Sequence, residues 1–186
     1  VGATEIGLFD IDEAGKIAHR KTHFVRSNDY YSSRNYASRL VDGQLVFYMP
    51  YNLFQTKYTD GEWTTEASLP AIRSFGPDAE WHNILDKAEI FKPVQKVHSP
   101  TLHTVVRCDL DAPALDCSAQ AVVGPYARNF YVARDSVYLW VAKGAGFSWP
   151  TGEEEIAAEG PTSVVYRLPL DGSTPGAVRA YGTPTD

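Results

Sequence analysis

The chain has 186 residues, 44% of them hydrophobic and 12% aromatic, which is enough apolar material for one sizeable core and excludes a disordered polymer. Its formal net charge is −6, with lysine and arginine scattered rather than clustered, so no basic strip is available to neutralise a run of phosphates and nucleic acid is not an expected partner. No apolar stretch reaches the ~20 residues of a membrane-crossing helix, and 11 tyrosines and 4 tryptophans against a single methionine favour pleated sheet over helical bundles.

The opening residues, Val1 to Ile11, already read as strand, with no start methionine or signal-peptide pattern ahead of them, so the expectation is a chain that begins in mid-domain. Glu5 to Asp12 and Lys16 to Val25 make a hairpin around Glu13-Ala14-Gly15. Asp10, Asp12 and Gly15 resemble the start of a calcium loop, but Ala14 replaces an oxygen ligand and Lys21 stands where a bidentate glutamate belongs. The segment reads as a turn, and no metal site is expected anywhere in the chain.

Strands near Tyr36 to Leu40 and Gln44 to Tyr48 follow, joined by Asp42-Gly43, a pair that supplies the positive φ angles of a tight hairpin. Residues 52–100 carry Pro70, Pro77, Pro93 and Pro100 and break the rhythm, so they read as an insertion. Inside it, Trp81, Ile84, Leu85 and Ala88 fall at helical spacing and predict a weak helix over 79–91. Strands resume at Leu102 to Asp109, Ser118 to Val123, Asn129 to Ala133 and Val137 to Ala142. A second, acidic insertion over 143–161 precedes a last pair, Thr162 to Leu170 and Ala177 to Tyr181.

Two hairpin types recur in this order. Arg34-Asn35-Tyr36 with Gln44-Leu45-Val46-Phe47-Tyr48 returns as Arg128-Asn129-Phe130 with Val137-Tyr138-Leu139-Trp140, and Thr104-Val105-Val106-Arg107 returns as Ser163-Val164-Val165-Tyr166. Interleaved hairpins repeating in order are the sequence pattern of stacked four-stranded sheets. The predicted fold is therefore all-β, a β-propeller fragment of about two and a half four-stranded antiparallel blades with two loop insertions. Residues 1–25 form half a blade, 35–124 a blade interrupted by 52–100, and 128–182 a blade interrupted by 143–161. Roughly ten strands cannot close a ring that needs about 16, so further blades or another chain are the expected partners that complete it.

The order Glu5-Ile6-Gly7-Leu8-Phe9-Asp10-Ile11-Asp12, Tyr31-Ser32-Ser33-Arg34, Leu69-Pro70, Thr104-Val105-Val106-Arg107-Cys108-Asp109-Leu110 and Phe130-Tyr131-Val132-Ala133 resembles bacterial and archaeal secreted proteins with a C-terminal β-propeller domain distantly related to WD40 repeats. Val164-Val165-Tyr166-Arg167-Leu168 and Gly182-Thr183-Pro184 are similar to that family as well. The acidic stretch Gly152 to Glu159 departs from it. The resemblance implies a secreted or envelope-anchored protein and specifies no chemistry.

The candidate site residues are few. Cys108 and Cys117 flank a turn-forming segment, and two arrangements fit: a disulfide across a hairpin, implying periplasm or cell exterior, or two unrelated half-buried thiols. Arg34 and Arg128 occupy equivalent repeat positions, where they either point to a channel mouth and grip an anion or tie one blade to the next. Trp81, His82 and Asp86, with Glu89, are the one place where an aromatic, a base and carboxylates lie close in sequence; the alternative is a solvated helix face. Glu153-Glu154-Glu155 beside Phe147 and Trp149 makes an acidic, aromatic loop without the facing carboxylate pair of glycoside hydrolysis. No catalytic residues and no cofactor are assigned. The expected function is an exported, non-catalytic scaffold that binds a protein, peptide or glycan; the alternative is a propeller-based hydrolase or lyase with its site in the channel.

Overall fold

The computed structural model describes residues 3–26, 38–94, 97, 100–112, 115–127, 129–142, 162–182 and 184. Among them there is no α-helix, and the chain forms several antiparallel sheets, none closed on itself. Strands β1 (Ala3–Ile11) and β2 (Ile17–Arg26) pair as a hairpin, β3 (Ser38–Val41) and β4 (Gln44–Asn52) as a second, and β5 (Phe54–Thr59) and β6 (Glu62–Ala67) as a third. The short β7 (Ala71–Ser74), β8 (His82–Asn83) and β9 (Ile90–Phe91) follow. Then come β10 (Thr101–Asp109), β11 (Asp116–Gly124), β12 (Asn129–Val132), β13 (Ser136–Ala142), β14 (Ser163–Pro169) and β15 (Gly176–Ala180).

These strands make three main sheets. The first runs β1-β2-β7-β8, the second β3-β4-β10-β11-β9 and the third β12-β13-β14-β15, while β5 and β6 stand as a separate two-stranded ribbon. The second and third sheets are up-and-down meanders, except that β9 adds to β11 in parallel at the edge. The first hairpin is extended to four strands by β7 and β8, which come from within 52–100.

The middle sheet is covered on both faces because its strands are apolar at consecutive rather than alternate positions, as in Gln44–Asn52, where Val46 through Met49 are all buried. One face presents Phe47, Met49, Tyr51, Leu102, Val106, Cys108 and Ala121 toward Val25, Ile6, Leu8 and Ile72 of the first sheet. The other presents Val46, Tyr48, Val105 and Val122 toward Val137, Leu139, Val141, Val164, Tyr166 and Leu168 of the third. The order of layers is thus first, second, third, with two cores. Side chains tie the second layer to the turn between β14 and β15 of the third: Arg107 donates to the Leu170 carbonyl and Gln120 to that of Ser173 at 3.0 Å.

Two tight turns have the Asp-Gly chemistry predicted at Asp42-Gly43. Asp42 and Gly43 have φ of 47° and 79°, and Asp60 and Gly61 have 54° and 87°, the paired left-handed residues of a type I′ hairpin. The second of these turns was legible in Asp60-Gly61 and opens the β5–β6 ribbon inside a region expected to lack strands.

The expected helix over 79–91 is absent. A turn of 3-10 helix, Lys87–Glu89, is all that forms, capped by Asp86, whose side chain accepts from the Ala88 amide at 2.8 Å. A helix of a dozen residues is marginal without tertiary support, and here the tertiary contacts favour extended chain. His82 pairs with Ile72 on the sheet edge, and Leu85 reaches the first core without helical geometry.

Candidate functional site

Cys108 and Cys117 are directly opposed in the β10–β11 register, with Cα atoms 4.1 Å apart, and they form a disulfide. It lies on the core face of the middle sheet, Cys108 fully buried. Closing a short loop of sequence separation 9 removes unfolded-state entropy worth about 2–3 kcal/mol. Reduction, or a Cys108→Ser/Cys117→Ser pair, is expected to lower unfolding stability by that amount, read as a shift of the urea midpoint; an unmoved midpoint refutes the assignment of a stabilising role.

Arg34 and Arg128 lie outside the described residues, as does the acidic segment 143–161 with Phe147, Trp149, Glu153, Glu154 and Glu155. Trp81, His82 and Asp86 are described, and the structure separates their surroundings. Asp86 caps its 3-10 turn. His82 is exposed on the edge strand β8, and no hydrogen bond or ion pair joins it to Asp86. Trp81 instead meets the outer face of the first sheet, where the guanidinium carbons of Arg26 and Arg73 lie 4.8 and 5.2 Å from its ring centroid. Arg73 also covers Phe24 at 5.0 Å, and Phe24 approaches Phe75. Neither arginine has a carboxylate partner among the described residues, and the Arg73 Nε is buried without a hydrogen-bond partner.

The outer face of the third sheet is aromatic as well. Tyr131 stands opposite Tyr138, which stands opposite Arg167, and Trp140, Val165 and Val178 make the adjacent row. Tyr131 and Val178 are well exposed. Both ends of the three-layer stack therefore carry aromatic side chains on faces that no further sheet covers among the described residues, whereas both faces of its middle are buried.

The β5–β6 ribbon is the feature that the sequence reading missed. Every residue of β6 is exposed, and all of β5 except the half-buried Gln55. The register places Phe54 opposite Ala67, Thr56 opposite Thr65 and Tyr58 opposite Trp63, so these six share one face. The Thr56 and Thr65 hydroxyls are 3.4 Å apart, and the Tyr58 and Trp63 rings pack at a tilt of 50° with centroids 4.9 Å apart. Lys57, Glu62 and Glu66 fall on the opposite face, where Lys57 pairs with Glu66 at 3.1 Å. Fractional exposures of 55% for Phe54, 60% for Tyr58 and 72% for Trp63 leave the aromatic face open to solvent. The alternation Phe54-x-Thr56-x-Tyr58 around Asp60-Gly61 was the available signal. At its base, Gln55 donates to the Tyr51 hydroxyl, which also bonds Ser68, anchoring the ribbon to the core.

A buried polar group sits in the middle sheet. His103 Nε2 is 2.8 Å from the Pro125 carbonyl, which only accepts, so Nε2 carries the proton. Its Nδ1 is 2.8 Å from the Tyr48 hydroxyl, which also donates to the Ala127 carbonyl at 2.9 Å. A Cβ at Gly124 would approach the imidazole to 3.3 Å, so the absence of a side chain there gives the ring its room. Burial lowers the His103 pKa to about 4, opposed by the Pro125 hydrogen bond.

Among the described residues no group of three or more His, Cys, Asp and Glu side chains is placed to hold a metal ion, and no helix is long and apolar enough to cross a membrane. No protein-family model, curated protein or solved structure matches the chain.

Proposed function

We propose that the chain forms consecutive blades of a β-propeller and acts, in an oxidising compartment at the cell exterior or in the periplasm, as a non-catalytic binding scaffold. The observation that carries this reading is the layering: a middle sheet covered on both faces, flanked by sheets whose outer faces still present Trp81, Arg26 and Arg73 at one end and Tyr131, Tyr138 and Trp140 at the other. A two-sheet sandwich buries one face of each sheet, whereas propeller blades bury both. Further blades, or another chain, cover the two end faces and complete the ring. The Cys108–Cys117 disulfide supports the oxidising compartment.

On such a rigid stack the projecting β5–β6 ribbon is the recognition element, since loops and arms on a fixed scaffold are where binding residues gather. Images of the full-length protein by electron microscopy are expected to show a disc with an axial channel. A compact two-layer particle or an open, elongated stack overturns the propeller reading.

A further inference from the structure

We propose that the aromatic face of the β5–β6 ribbon binds a neutral oligosaccharide, an inference that takes the binding-scaffold reading as its premise. The face consists of Phe54, Thr56, Tyr58, Trp63, Thr65 and Ala67, and it holds three aromatic side chains and three hydroxyls, those of Thr56, Thr65 and Tyr58, but no charged side chain. Sugar rings offer the matching chemistry: a flat array of C–H bonds that stacks on an aromatic face, with hydroxyls at its rim that exchange hydrogen bonds with threonine.

Size argues against a protein as occupant. Stable protein interfaces engage about 20–30 residues on each side, and this face has six. Phe54 and Tyr58 are four residues apart on one strand, about 13 Å at 3.3 Å per residue, so the face matches a short run of sugar units rather than a single one. Charge argues against an acidic ligand. Lys57 is turned to the opposite face and paired there with Glu66, and the chain as a whole is net negative. Nothing on the aromatic face compensates a carboxylate or a sulfate.

The ribbon's own energetics point the same way. A two-stranded hairpin is marginal in water, and this one leaves its apolar side bare while its base is fixed by the Tyr51, Gln55 and Ser68 hydrogen bonds. Anchoring at the base holds the rings in place before the ligand arrives, which removes ordering cost from binding.

The test is affinity electrophoresis of the full-length protein through gels containing hydroxyethyl cellulose, laminarin or soluble starch as neutral glycans, with polygalacturonate as the acidic comparison. At least one neutral glycan is expected to retard the protein, with little dependence on salt. Trp63→Ala and Tyr58→Ala are each expected to weaken that retardation at least tenfold, while Thr64→Ala on the opposite face leaves it unchanged. Retardation that survives both aromatic substitutions, or that occurs only with polygalacturonate and fades with salt, overturns the proposal. So does the absence of retardation by every glycan. In either case a ring-shaped particle would leave the scaffold reading standing, and its absence would remove the premise as well.

Discussion

Leu102→Ala and Leu139→Ala are each expected to cost about 3 kcal/mol of unfolding free energy, within the 2–5 kcal/mol range of large-to-small core substitutions. Both side chains are fully buried, but in different cores: Leu102 packs between the first and second sheets, Leu139 between the second and third. The loss combines transfer of the removed methylenes with the cavity left behind, and sheets held by hydrogen-bonded neighbours collapse poorly into such a gap. The more telling outcome is the shape of the transition. Because the middle sheet contributes to both cores, and Arg107 and Gln120 bind the third sheet's turn carbonyls, the layers are expected to unfold together. Each variant should therefore move one common urea transition by the same probe-independent amount. Thr64→Ala, exposed on β6, should stay within about 0.5 kcal/mol of the parent. Two separate transitions, each sensitive to only one of the leucines, would show that the layers are independent units and that the stack is not one cooperative fold.

The strands that carry this stack were readable because their polarity and turns agree. The apolar runs Gln44–Tyr48 and Leu102–Asp109 read as strands, and Asp42-Gly43 marked the tight hairpin ahead of the first of them. Long-range pairing was not readable in the same way. Ala71–Ser74 and His82–Asn83 are too short and too mixed to signal strand, and they become strand only because β2 offers an edge to the first and the first offers one to the second. Trp81, Ile84, Leu85 and Ala88 have helical spacing, yet the Asp86 cap serves a single 3-10 turn and the core takes Leu85 from an extended segment. Local spacing proposes, and sheet-edge hydrogen bonding decides. Trp81 was singled out from its neighbours in sequence, but the residues it meets, Arg26 and Arg73, lie on β2 and β7, and only the register shows that Phe24 and Arg73 stand opposite each other. His103 was hidden for a related reason. A histidine in the apolar β10 has no obvious partner in sequence, and its partner Tyr48 is a diagonal neighbour on β4, two residues from the Pro50 that stands opposite His103.

That histidine makes stability depend on pH. Between pH 7 and pH 5 the protein is expected to lose about 2 kcal/mol through His103 alone, approaching roughly 3 kcal/mol near pH 4. The sign follows from the direction of the shift. The folded state holds the imidazole neutral down to about pH 4, because burial penalises the cation more than the Pro125 hydrogen bond favours it, whereas the unfolded chain takes up a proton near 6.5. As pH falls through that window the unfolded state gains protons that the folded state refuses, so unfolding is favoured; above 6.5 the effect vanishes. His23, whose pKa is lowered by burial and by Lys21, pulls in the same direction. Hydrogen-bond counting sets a limit on the effect. In the neutral ring, one hydroxyl proton on Tyr48 serves two acceptors, Nδ1 and the Ala127 carbonyl, whereas a proton on Nδ1 would complete all three bonds. Denaturation at intervals from pH 7.5 to 5, above the range where most carboxylates titrate, reads the histidine effect, and the difference between parent and a His103 variant gives the share of His103. His103→Gln should be less stable at pH 7, since a buried network loses its fit, and should slope less than the parent across the window, keeping only the contribution of His23 and the other titrating groups. If parent and variant curves run parallel from pH 7 to pH 5, His103 does not carry the linkage, and its proton is shared with the unfolded chain on equal terms.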